Sequence, residues 1–244
     1  MPTLEAWGTS DFGLVRQNNE DSWSLDPALH IAIVADGMGG ASCGEIASAM
    51  SVETVLEYLR GTPMLEPGAV IEAAIQEANR RVLERAKSEE GCAGMGSTIV
   101  VAFWQLPWLL IANVGDSRAY LWRDGTLTQL SYDQTLVNEL RLRFGLSEEE
   151  VRNFPHKNVL TMAVGTTPEL TVRTCEENLV PGDLVLLCSD GLTGPVTEAA
   201  IAATLSREAP LQVQVEQLIT QAKAAGAPDN VTAVLLRYND WEIL

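Results

Sequence analysis

Residues 31–40, IAIVADGMGG, join an unbroken run of small and β-branched apolar residues to an aspartate and a glycine-rich stretch. A run of this length, bounded by turn residues, reads as a buried strand that stops at a loop. On its C-terminal side, Ile46, Ala49, Met50, Val52, Val55, Leu56 and Leu59 recur at helical spacing from Gly44 to about Arg60, and Gly61 with Pro63 ends the pattern. A second helix is expected from about Pro67 to Lys87, with Val70, Ile71, Ala74, Ile75, Ala78, Val82 and Leu83 on one buried stripe. The two helices are expected to pair. On its N-terminal side, Ser22–Leu25 has the character of a short strand.

Farther out, Thr98–Trp104, Leu109–Val114, Arg118–Trp122 and Leu127–Leu130 read as strands, with Asp124-Gly125 as a hairpin turn between the last two. The segment from Gln134 to Asn153 looks helical, and Ser147 with Glu150 has capping-box spacing. Strands are then expected at Val159–Val164, Leu170–Cys175 and Leu184–Ser189, helices at about Thr197–Ser206 and Leu211–Ala224, and a last strand at Val231–Arg237. Hairpin-connected strands with helices grouped in pairs favour an α+β layered domain over a regular βαβ repeat. No repeat or linker divides the 244 residues, so one domain is expected.

Composition narrows the function. Sixteen basic against 33 acidic residues leave a net charge of −17, spread evenly along the chain, which disfavours nucleic acid or an anionic membrane as partner. The longest apolar stretch, Ile99–Val114, is interrupted by Gln105, Pro107 and Asn113 and suits two strands and a turn better than a membrane span. Cys43, Cys92, Cys175 and Cys188 form no closely spaced pair, and the N-terminal residues lack a secretory pattern. Incidental thiols in a reducing, cytoplasmic compartment are the expectation.

The carboxylates are more informative. Asp36, Asp116 and Asp190 each follow an apolar strand, Asp229 precedes one, and Glu20 and Asp21 lead into another. Any one of them could serve only a turn, as Asp124 is expected to. Converging together they would repel one another unless neutralised by a cation, and an all-oxygen set suits Mg2+ or Mn2+. With only His30 and His156 in the chain, a zinc site or a serine triad has little material. Two cations about 4 Å apart would let water attack a phosphoryl group. Asp36, beside the small Gly37, is the best bridging candidate, and Arg16 lies close enough in sequence to Glu20 and Asp21 to bind phosphate at the same rim.

The ordered blocks RQNNED (16–21), VADGMGG (34–40), MGST (95–98), NVGDSRAY (113–120), LLCSDGLT (186–193) and DNVTAVLL (229–236) resemble the bacterial metal-dependent serine/threonine protein phosphatases of type 2C (PPM). The resemblance runs from about Asp11 to Arg237. It implies a central antiparallel β-sandwich flanked by pairs of helices in four αββα layers, and hydrolysis of phosphoserine and phosphothreonine by a metal-bridging hydroxide. It implies that Asp36 bridges two metals, with Gly37 contributing its carbonyl. Asp190 and Asp229 would hold one metal, and Glu20 and Asp21 the other, largely through water. Asp116 would hold a third, weaker metal shared with Asp190, and Arg16 the phosphate. Residues 131–160 correspond to a flap that could select substrates or be a plain surface insertion. Phosphorylated proteins are the implied substrates and a Ser/Thr kinase the implied counterpart, with the chain acting as a monomer. Two positions depart from the pattern: Ala41 and Gln134 stand where relatives often have histidine. Neither is a metal ligand, so activity is expected to survive, with lower turnover one consequence of Ala41.

Overall fold

The computed structural model describes residues 3–39, 43–147, 150–151, 154 and 158–239 of the chain. Strands β1 (Thr3–Asp11), β2 (Asp21–Asp26) and β3 (Ile31–Met38) lead into helices α1 (Cys43–Arg60) and α2 (Pro67–Ser88). Strands β4 (Gly96–Ser97), β5 (Ile99–Gln105), β6 (Trp108–Val114), β7 (Arg118–Arg123) and β8 (Thr126–Gln129) follow, then helix α3 (Leu136–Phe144). The chain continues through β9 (Arg173–Asn178), β10 (Leu184–Cys188), α4 (Asp190–Thr193), α5 (Glu198–Leu205), α6 (Leu211–Ala224) and β11 (Val231–Asn239).

One sheet runs β1-β11-β10-β7-β8 and the other β2-β3-β5-β6-β9, with β4 paired to β3. Alternation along β3 explains why its sequence is apolar throughout. Ala32 and Val34 meet Leu187, Val234 and Leu236 between the sheets, while Ile31, Ile33 and Ala35 pack under α1 and α2 with Val55, Ile71 and Ile75. On β11, Val234 and Leu236 point inward, and Ala233 and Leu235 pack with Val215 and Leu218 of α6. The layers are therefore helix, sheet, sheet, helix, the α+β sandwich expected. The β5–β6 hairpin pairs Gln105 with Trp108, so the longest apolar stretch is two strands. Among the described residues no helix is long and apolar enough to cross a membrane.

The differences from expectation are local. Strand β1 carries no clear sequence signal: it lies at a sheet edge, its outer residues are exposed, and its partner is β11, more than 200 residues away. Val159–Val164 is no strand. It touches its neighbours at single bridges, Leu160 to Thr135 and Val164 to Ser97, and the Thr161 N–H donates to the Gln134 carbonyl instead of joining a ladder. Strand β9 starts at Arg173 rather than Leu170. The regular helix expected over Gln134–Asn153 is confined at its start to α3, which begins at an N-cap, Thr135, and stops at Gly145 in the left-handed region. The capping box is present, with the Ser147 Oγ and N–H both donating to Glu150 Oε2. Gly40, Ala41, Pro155 and His156 lie outside the described residues.

The cysteine expectation is corrected at two positions. The packing of α2 against α1 brings the chain back beside its earlier course, so Cys43 and Cys92, 49 residues apart, form a disulfide with their Cα atoms 5.5 Å apart; Cys175 and Cys188 are free. Sequence spacing could not show this, because the pairing depends on tertiary packing. Closing a loop of this length stabilises the folded chain by on the order of 3–4 kcal/mol in the chain-entropy account. Cys92→Ser is thus expected to lower the Tm by roughly 10 °C; an unchanged Tm in differential scanning calorimetry under oxidising conditions would refute that contribution.

Candidate active site

The six acids, drawn from five of the six blocks, meet at one end of the sandwich. Asp21 and Asp36 are paired across β2 and β3. Asp190 opens α4 just after β10, and its carboxyl lies close enough to that of Asp36 for each to influence the other's acidity. Asp229 stands two residues before β11 and accepts from the Arg16 guanidinium at 2.8 Å, with Glu20 3.9 Å from the same side chain. Asp116, just past β6, lies within electrostatic reach of Asp36 and Asp190. Each sheet contributes, because strands that end at the same rim deliver their first or last residues there.

This crowding shows in the acidities. Asp36 is driven well above the ordinary carboxylate range by desolvation and then by Asp21, Asp190, Asp116 and Asp229. Asp21 is raised to about 7, chiefly by burial, although hydrogen bonds from Ser189 Oγ (2.8 Å) and Thr232 Oγ1 (2.6 Å) oppose the shift. Asp116 is raised to about 7 by burial and by Asp190. Asp190 and Glu20 are also raised, again mainly by desolvation. Without added positive charge, then, the carboxyls hold protons at pH values where ordinary carboxyls have lost them.

Three Asp-Gly pairs in the chain separate turn chemistry from site chemistry. At Asp124-Gly125 both residues have positive φ, 48° and 81°, and nothing lies within 4 Å of a Cβ placed on Gly125, as a hairpin turn requires. Gly37 and Gly191 have no positive φ; they are glycines because another backbone sits against them. A Cβ on Gly37 would fall 2.0 Å from the Gly44 carbonyl oxygen, and one on Gly191 would fall 1.8 Å from that of Asn230. The aspartates preceding these two glycines are fixed by close backbone packing and aimed at one another.

The donor set fits hard divalent cations. Asp21 Oδ1 is buried without a hydrogen-bond partner, a costly state for a carboxylate oxygen that a cation would relieve. Glu20 Oε1 and the Gly37 carbonyl oxygen both lie 2.9 Å from the point where a Cβ on Gly44 would stand, so the small residue at the start of α1 leaves a cradle lined by oxygen. Among the described residues, no three acidic, histidine or cysteine side chains already close on one point as a finished coordination shell. Holding an ion here would require the carboxylates to draw in around it, since without one they repel each other.

Arg16, Glu20, Asp21, Asp36, Gly37, Asp116, Asp190 and Asp229 are thus all at this rim. His30 is not: it stacks on Trp104 and immediately precedes β3, six residues before Asp36 and about 20 Å away at the strand rise. Reading the chain for acids missed the residues that hold them. Asn230 Oδ1 accepts from the Glu20 N–H at 2.8 Å while its Nδ2 donates to the carbonyls of Phe12 and Asn18. Ser189 and Thr232 hold Asp21. All three lie inside the quoted blocks beside Asp190 and Asp229, which was the available signal. Gln134 is buried: its Oε1 accepts from the Gly115 N–H at 2.8 Å and its Nε2 donates to the Thr171 carbonyl at 2.7 Å, tying the turn before Asp116 to the base of the 131–160 segment.

A pH dependence follows. Between the ordinary aspartate value of 3.8 and the raised value of about 7, the folded chain holds protons that the unfolded chain has released, so its stability falls as pH rises through that window. The metal-free protein is expected to melt about 5–10 °C lower at pH 8 than at pH 5, corresponding to about 2–3 kcal/mol, with Mn2+ restoring the loss at pH 8. Asp21→Asn should flatten the slope; thermal melts of equal slope for both proteins would count against this origin.

Comparison with known proteins agrees with this geometry. The model of the family described as protein phosphatase 2C matches residues 12–235. The serine/threonine phosphatase stp of Listeria welshimeri is 38% identical over 237 residues, covering 94% of each chain. Among solved structures, the Mycobacterium tuberculosis serine/threonine phosphatase PstP/Ppp superposes with a TM-score of 0.89 at 32% identity, over 98% of this chain and 100% of that one. The catalytic domain of PstP in complex with two manganese ions gives a TM-score of 0.88 at the same identity and coverage. The chain belongs to the protein phosphatase 2C family of metal-dependent protein serine/threonine phosphatases.

Proposed function

We propose that the acidic rim is the catalytic centre, that it takes two divalent cations with Asp116 adding a third, weaker site, and that it removes phosphate from phosphoserine and phosphothreonine in proteins phosphorylated by a cytoplasmic Ser/Thr kinase. The observation that carries this is the meeting of Asp36 and Asp190, both pushed above the ordinary carboxylate range, with the unpartnered Asp21 Oδ1 and with Arg16 at one end of the sandwich.

Divalent cations bound there supply positive charge, acidify water and polarise the phosphoryl group. The chain's own residues do the rest. Arg16, with 47% of its side chain exposed, is held toward the rim by Asp229 and presents its remaining N–H groups to phosphate oxygens, which guanidinium matches in pairs. Asp36 sits between the acids of both sheets and gives up its proton as positive charge arrives, so cation uptake releases protons. Asp190 and Asp229 face it from the β10 and β11 side, and Glu20 with the Gly37 carbonyl from the α1 side. Ser189 and Thr232 orient Asp21 so that one oxygen stays free. Gln134 ties the start of the 131–160 segment to Gly115, next to Asp116, and the segment is read as a flap that shapes access.

Phosphate release from a phosphothreonine peptide should require Mn2+ or Mg2+ and cease in EDTA. A chain that binds Mn2+ in calorimetric titration yet releases no phosphate would defeat the proposal.

A further inference from the structure

Resting on that reading, we infer that the exposed apolar side chains of Phe12, Leu14 and Val15 form a rigid lip beside Arg16 that selects substrates with apolar residues next to the phosphorylated residue. These three side chains are 54%, 60% and 67% exposed, within four consecutive positions. A single exposed leucine needs no explanation, but three clustered apolar side chains mark a contact surface.

The backbone that carries them is fixed. The Leu14 N–H donates to the Ala227 carbonyl at 3.0 Å, the Phe12 carbonyl accepts from Asn230 Nδ2 at 3.1 Å, and the Gly13 N–H donates to Asp11 Oδ1, itself paired with Lys223. Gly13, at φ +76°, lies so close to the 227–229 backbone that a Cβ there would be 2.2 Å from the Asp229 carbonyl oxygen. The turn is thus bolted to the backbone of the Asp229 segment while its apolar side chains project into solvent. A surface already ordered before binding loses little conformational freedom when it is covered.

Position and charge identify what covers it. Val15 adjoins Arg16, and Phe12 is four residues from it, so the lip lies within about 14 Å of the guanidinium-bearing residue by chain reach. A polypeptide whose phosphate is held at Arg16 passes over the lip with the residues up to about four positions from the phosphorylated one. At a net charge of −17 the protein repels acidic flanks, and residues 12–15 offer no charge of their own, so the attraction available there is apolar burial.

The test uses two phosphothreonine peptides that differ only in carrying Leu and Val, or Ser and Asn, at the flanking positions. The ratio of their kcat/KM values, taken within each protein, cancels any general change in activity. Wild type should favour the apolar peptide by about 10-fold or more, mainly through KM, the range one or two apolar contacts supply. Leu14→Ser and the triple variant Phe12→Ser/Leu14→Ser/Val15→Ser should bring the ratio to within about twofold of unity, with melts confirming that each is folded. A wild-type ratio near one, or a preference that survives in the variants and disappears instead in Leu142→Ser/Phe144→Ser of α3, overturns the lip. Turnover of an aryl phosphate with Mn2+ separates the two claims: if it is present, such a result removes the lip alone; if it is absent, the phosphatase reading and the lip fall together.

Discussion

Asp36→Asn is expected to lower kcat/KM for a phosphothreonine peptide by about 10^3-fold, the scale seen when a principal charge-stabilising group is lost, and at the same time to raise the Tm of the metal-free protein. The two effects share one cause. Desolvation and four neighbouring acids push the Asp36 carboxyl far above its ordinary range, so at neutral pH the folded chain bears a cost at this position that an amide of the same shape would not. The same crowding of acids is what favours a cation at the rim, since its charge relieves the repulsion. A residue that weakens the fold for the sake of the site is the expected form of a stability–activity trade-off. Peptide kinetics and calorimetry on one preparation check both halves. A variant that loses activity without gaining stability would mean that Asp36 is already relieved, and one that keeps its activity would remove Asp36 from the centre.

Gly191→Ala should be nearly as damaging, through geometry rather than charge. The added methyl would stand 1.8 Å from the Asn230 carbonyl oxygen, backbone against backbone, with no flexible side chain to give way. Relief requires the start of α4 to move away from the segment before β11, parting Asp190 from Asp229 and loosening Asn230, which clamps Glu20, Phe12 and Asn18. A loss of about 10^2-fold or more in kcat/KM is expected, since misplacing reacting groups by about 1 Å costs that much, with a Tm lower by several degrees. Gly125→Ala is the control: it places alanine at φ +81° in an open hairpin, at a cost of about 1 kcal/mol, far from the rim. Similar kinetic losses in both variants would show that the close packing at Gly191 has no bearing on the site.

Most of the scaffold could be read from hydrophobic period. Strand β3 and helices α1 and α2 fell where apolar spacing put them because each is buried along its length or along one stripe, so composition and environment coincide. Strand β1 escaped because a half-exposed edge makes little demand on its residues, and Val159–Val164 misled because an apolar segment can be buried without joining a sheet. The acids were legible as strand-end residues, but their convergence was not: a single Asp-Gly reads alike in a hairpin and in a close-packed site. The supporting residues Asn230, Ser189 and Thr232 carry common side chains whose partners are up to 218 residues away in sequence. The disulfide was hidden for the same reason, since only the folded course of the chain sets Cys43 beside Cys92.

The pairing of β1 with β11 has a consequence for handling the protein. That ladder runs in register from Thr3 opposite Asn239 to Asp11 opposite Val231, and just past its inner end Arg16 meets Asp229. It works as a zipper with the Arg16–Asp229 ion pair at its clasp. Fraying that starts at Thr3 and Asn239 travels toward Arg16 and Asp229 one pair at a time. Tags, fusions or surface attachment at that outer end therefore pull on the active centre from a strand's length away, and an immobilised enzyme is better tethered through the Asp124-Gly125 hairpin.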